Sequence, residues 1–71
     1  MDEHARLIVR IAHSLNRRIV REKILAHRVP EILEQEVRAH NVPENEILAV
    51  RLEVDSLARK LRVEALRKRL A

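Results

Sequence analysis

The chain has 71 residues, 46% of them hydrophobic and 37% charged, a formal net charge of +4, and no Gly, Cys, Phe, Trp or Tyr. That length allows one domain over 1–71 with a hydrophobic core worth only about 3–5 kcal/mol, and without cysteine no disulfide can reinforce it or indicate the redox compartment. The missing residue types exclude aromatic platforms for bases or cations, thiol nucleophiles, and the glycine loops that cradle phosphates.

Thr is absent as well, and Met occurs only as Met1. What remains is Ala, Val, Ile, Leu and long charged side chains, an alphabet suited to helices and to the seams between them. So narrow a set reads as a reduced or artificial alphabet. No apolar run approaches the ~20 residues that span a bilayer. The opening Met1-Asp2-Glu3-His4 is acidic and unlike a secretory leader. A soluble, cytoplasmic setting is the expectation.

The first predicted element is a long helix over about 3–28. Ile8, Ile11, Ala12, Leu15, Ile19, Ala26 and Val29 recur at helical spacing and define its core face. Val29-Pro30 and Val42-Pro43 are the two breaks in the chain, and each Pro suits the first turn of a following helix. Acidic residues follow both prolines, Glu31 after the first and Glu44 and Glu46 after the second, where they complement the helix dipole. A short helix over about 30–40 then ends at Asn41, the non-glycine residue best suited to a left-handed C′ position. A second long helix covers about 43–70, with Ile47, Val50, Val54, Leu57, Ala58, Leu61 and Ala65 on its core face. The predicted architecture is all-α, a long–short–long three-segment helical bundle.

Both long segments carry a second apolar stripe. In the first, Val9, Val20 and Ile24 are interspersed with His13, Asn16 and His27; in the third, the stripe is Leu48, Leu52, Val63, Leu66 and Leu70. A three-helix monomer buries one face per helix, so two faces call for another layer, most simply a C2 homodimer. Asn16, His13 and His27 would then act as polar seam residues that fix register. Histidine at such a seam adds pH sensitivity, because a protonated imidazole has to be buried as a cation. The two long segments also echo each other: 14–24 and 56–66 are identical at four of eleven positions. Duplication and chance repetition of a small alphabet both account for it.

Leu48-Ala49-Val50-Arg51-Leu52-Glu53-Val54-Asp55 also alternates like a half-buried strand, and Leu7-Ile8-Val9-Arg10-Ile11 does so less regularly. This gives an alternative α+β order, strand–helix–helix–strand–helix. Its first half resembles the ribbon–helix–helix repressors, in which paired strands of a dimer enter the major groove. The resemblance implies that Arg6 and Arg10 point outward to read bases. It covers about half the chain and lacks that family's glycine-containing turn between the helices.

Candidate chemistry is sparse. His4, His13, His27 and His40 invite a metal reading, with Glu36 and His40 the one helical i,i+4 ligand pair. His13 and His27 lie ~21 Å apart on one continuous helix and could share an ion only with help from elsewhere. Haem ligation by either is a further option for a helical bundle, disfavoured by the absence of aromatics. Ser14 and Ser56 lack a nucleophile elbow. Glu22 reads as an i,i+4 partner of Arg18. The helical chorismate mutases share the long–short–long order, but their charged spacing does not map here, nor does the backbone clamp of KH domains. The expectation is therefore a non-catalytic, self-associating scaffold with no cofactor. The alternative is a small basic DNA- or RNA-binding module using Arg59, Lys60, Arg62, Arg67 and Lys68 near the C-terminal end; a metal- or haem-binding bundle ranks third.

Overall fold

The computed structural model describes residues 2–70. Of these, 87% are helical and none lies in a strand. The three helices are α1 (Glu3–Arg21), α2 (Val29–Ala39) and α3 (Ile47–Leu70).

Helix α1 starts where Asp2 caps it, the carboxylate accepting from the Ala5 backbone N–H at 2.7 Å. It ends at Arg21, not near residue 28 as its apolar periodicity predicts. The reason is a left-handed residue, Lys23, at φ 53°. Around it the Ile24 N–H donates to the Ile19 carbonyl at 3.0 Å and the Lys23 N–H to the Val20 carbonyl at 3.4 Å. These two bonds close a Schellman motif. Its usual hydrophobic contact is supplied by Ile19 and Ile24, which both pack against the core. The gain from seating Ile24 opposes the cost of a β-carbon in the left-handed region, about 1–2 kcal/mol.

Residues Ala26–Arg28 form a 3-10 turn that leads into α2, with Pro30 in the first turn of that helix. Asn41, at φ 58°, occupies the C′ position of α2 that its residue type predicts, and its N–H donates to the Arg38 carbonyl at 3.1 Å. A second 3-10 turn, Glu44–Glu46, feeds α3 directly.

Cross-chain bonds fix the topology. His4 meets Glu53 at 2.8 Å, and Asn16 meets the Ala58 carbonyl at 3.1 Å, so α1 and α3 run parallel. Arg18 on α1 reaches Gln35 and Glu36 on α2. Glu34 faces Arg51, whereas Ala26 and Val29, just before and at the start of α2, line a groove with Arg59 and Arg62, so α2 runs antiparallel to α3 and hence to α1. Ile11, Leu15, Val37, Val50 and Val54 fill the centre, and Ala12 and Ala58 are equally buried.

The strand–helix–helix–strand–helix alternative is overturned, since residues 6–12 and 47–54 are both helical, and the ribbon–helix–helix likeness goes with it. A strand would put Leu48, Val50, Leu52 and Val54 on one face. The structure separates them: Val50 and Val54 are in the core, while Leu48 and Leu52 are 66% and 65% exposed. Ala26 and Val29, placed on the first core face by periodicity, instead lie beyond the end of α1, exposed and half-buried. No helix among the described residues is long and apolar enough to cross a membrane.

Because Lys23 alone carries the left-handed turn between α1 and α2, Lys23→Gly is expected to stabilise the fold by about 0.5–1 kcal/mol, the strain relieved less the entropy glycine adds to the unfolded chain. Urea unfolding checks this; a lower midpoint for the variant would contradict the turn.

Candidate functional site

The surface with the most apolar exposure is the side of α3 turned away from the core. Leu48, Leu52, Val63, Leu66 and Leu70 are between 49% and 79% exposed. With Asp55 and Arg59 they form one stripe, stepping 4, 3, 4, 4, 3 and 4 residues along the helix. A mean step near 3.67 keeps such a stripe on one face of an α-helix, here over about 33 Å. At its middle the Arg59 Nε donates to the Asp55 carboxylate at 3.2 Å. The N-terminal half borders a groove of about 370 Å³ between α2 and α3, whose apolar wall includes Val29, Leu33, Leu48 and Leu52. The C-terminal half has no neighbour among the described residues, and every residue from Val63 to Leu70 is exposed.

The other residues read as a seam go elsewhere. Ile24 packs against the core, and Val9 is half-buried. Val20 is 72% exposed, and His13 and His27 are exposed. Asn16 is spent within the chain: its amide donates to the Ala58 carbonyl at 3.1 Å, and its Oδ1 accepts from Arg62 at 2.8 Å. Breaking α1 at Lys23 is what takes His27 out of line with His13 and Asn16.

Among the metal candidates, the His40 Nδ1–H donates to the Glu36 carbonyl at 2.8 Å. The Glu36 carboxylate turns instead to Ser14 at 2.8 Å and Arg18 at 3.3 Å. Glu36 and His40 therefore do not present a joint ligand pair, and among the described residues no three His, Asp or Glu side chains converge. Glu22 does pair with Arg18, at 3.1 Å.

The basic residues near the C-terminal end are divided. Arg59 holds Asp55 and Arg62 holds Asn16, whereas Lys60, Arg67 and Lys68 are exposed and without an ion pair among the described residues. Only with Arg59 and Arg62 included does the basic set spread around α3. A more ordered set, missed by searching only for apolar periodicity, lies on α1. Arg6, Arg10, His13, Arg17 and Arg21 step 4, 3, 4 and 4 residues, and all five are exposed. Their signal in the sequence is the same three- and four-residue spacing, carried by Arg and His in place of apolar residues. The 2.8 Å contact of His4 with Glu53 had no local signal, since 49 residues separate the two.

The chain matches no protein-family model, no curated protein and no solved structure.

Because Asn16 braces α1 against α3 from inside one chain, Asn16→Ala is expected to cost about 0.5–1.5 kcal/mol of stability, the net worth of its half-buried hydrogen bonds to Ala58 and Arg62, with no change in solution mass. Denaturant unfolding and sedimentation of the variant test this; a lower mass at unchanged stability would instead make Asn16 an intermolecular contact.

Proposed function

We propose that this protein is a non-catalytic helical module that self-associates through α3 into an antiparallel C2 homodimer and serves a structural or scaffolding role. One observation carries the reading. The step pattern of the α3 stripe is the same in both directions, with Arg59 at its midpoint. An isologous interface requires a patch that is complementary to itself.

In antiparallel register about Arg59, Leu48 lies opposite the partner's Leu70, and Leu52 opposite the partner's Leu66. The exposed tail of each α3 thereby reaches the mouth of the other copy's α2–α3 groove. The two Asp55–Arg59 pairs surround the axis with balanced charge, a polar centre of the kind that selects register at some cost in stability. Burying a Leu or Val of this kind stabilises by about 1.5–3 kcal/mol relative to leaving it in water. An exposed apolar stripe this long marks an interaction surface more readily than an idle one. The narrow alphabet, without Gly, Thr, Cys or any aromatic residue, supports an artificial or simplified origin for such a scaffold.

The second reading, a small basic nucleic-acid-binding module, is supported by the unpaired state of Lys60, Arg67 and Lys68 among the described residues.

Sedimentation at micromolar concentration is expected to give twice the 8.4 kDa chain mass. Leu66→Glu is expected to return the protein to a monomer of unchanged helix content, because Leu66 lies outside the core. The sequence contains no cysteine, so Arg59→Cys can cross-link only between copies. It is expected to oxidise to a covalent dimer far faster than Lys60→Cys, one residue around the helix. A wild type that stays monomeric at millimolar concentration overturns the proposal.

A further inference from the structure

Charge is segregated along this chain. Helix α1 has five arginines against a single acidic residue, Glu3, whereas residues 22–46 have three Lys or Arg against six Asp or Glu. Helix α3 is also basic, with seven cations against three anions, but there Glu53, Asp55 and Glu64 interrupt the set and the spacing spreads it around the helix. On α1, by contrast, Arg6, Arg10, His13, Arg17 and Arg21 share the solvent face. No acidic residue occurs between Arg6 and Arg21. The fifth α1 arginine, Arg18, is turned to Glu22 and Glu36 instead. Among the described residues, the one ion pair touching the outer row is at its end, Arg21 with Glu22 at 3.9 Å.

Like charges at i,i+4 oppose helix formation, and this row contains two such pairs, Arg6 with Arg10 and Arg17 with Arg21. A polyanion laid along the row removes that repulsion. We propose that the outer face of α1 binds the phosphate backbone of duplex nucleic acid without reading its sequence.

Three features select this ligand. The row is straight and about 22 Å long, with a cationic or imidazole group every turn, so it suits a linear series of phosphates better than a compact anion. Its charges are all arginine, whose planar fork matches phosphate oxygens. The apolar face of α1 is already committed to the core through Ile8, Ile11, Ala12 and Leu15, and exposed Val20 beside the row is too little apolar surface to seat the helix in a bilayer. A single strand is disfavoured because the chain has no aromatic residue on which bases could stack. Sequence reading is disfavoured because the nearby amide, Asn16, is turned inward to Ala58 and Arg62. The row shares no residue with the α3 stripe, so it stands whether or not the protein dimerises.

The test is fluorescence anisotropy with a labelled 20-base-pair duplex across a salt series, with anionic phosphatidylserine vesicles as a parallel probe. Four arginines predict a log–log salt slope near −3.6, or roughly 100-fold weaker binding at 200 mM than at 50 mM salt. Combining Arg6→Gln, Arg10→Gln and Arg17→Gln is expected to flatten the slope by about 2.7. Removing equal charge with Lys60→Gln, Arg67→Gln and Lys68→Gln is expected to change it by less than one. The three α1 side chains make no hydrogen bond or ion pair among the described residues, and Gln has a helix propensity close to that of Arg, so folding is expected to persist by circular dichroism. Lysine at the same three positions is expected to keep most of the slope. Equal loss from the two Gln sets, loss with the Lys set, absence of duplex binding at 50 mM salt, or tighter binding to vesicles than to duplex would each overturn the proposal.

Discussion

A core made only of Ala, Val, Ile and Leu can hold three helices together only if the helices approach closely, and Ala12 and Ala58, both fully buried, permit this between α1 and α3. Leucine and isoleucine are the largest side chains in this core, so wide interhelical gaps would remain as cavities. The close approach brings the Ala58 carbonyl within reach of Asn16 and allows Arg62 to meet the same side chain. The α2 helix then closes the remaining side with Ile32, Leu33 and Val37. The position of Asn16, the groove beside α2 and the free end of α3 all follow from this arrangement.

Such a core has a limited reach. Among the described residues twelve aliphatic side chains are buried, and the last on α3 is Ala58. Leu57 and Leu61 are only partly covered, and beyond Arg62 the helix continues for two turns with no residue buried. A shorter α3 would have served the monomer equally well. The extra turns carry Leu66 and Leu70, whose exposure has no account within a single chain.

The sequence made the helical class legible because the alphabet disfavours strands and because the two Val-Pro breaks and Asn41 are local signals with local consequences. It failed at the end of α1. Glu22-Lys23 has no breaker residue, and the left-handed turn there is set by the seating of Ile24 against the core, a tertiary effect that propensity does not encode. That one turn moved His27 and Ala26 off the first helix and removed the basis for reading His13, Asn16 and His27 as a continuous seam. The α3 stripe was legible because it depends only on spacing within one helix. The inward bonding of Asn16 was not, since its partners lie 42 and 46 residues away. A polar residue at a seam-like position reads the same whether it faces its own bundle or another copy.

The two long helices divide the surface between different physical tasks. The α3 stripe is apolar with a neutral Asp55–Arg59 centre, and water opposes its exposure. The α1 row draws its charge from four arginines, and like charges along the helix oppose one another. Each is relieved by a different partner, since apolar area is satisfied by a second apolar face and a row of arginines by phosphate. If α3 pairs about Arg59, every assembly has two α1 rows held at a fixed separation. The second row then binds a duplex already held by the first as an intramolecular event, provided the geometry lets both engage. Self-association would thus raise the affinity of α1 for a long polyanion without any new contact to it, coupling two surfaces that share no residue.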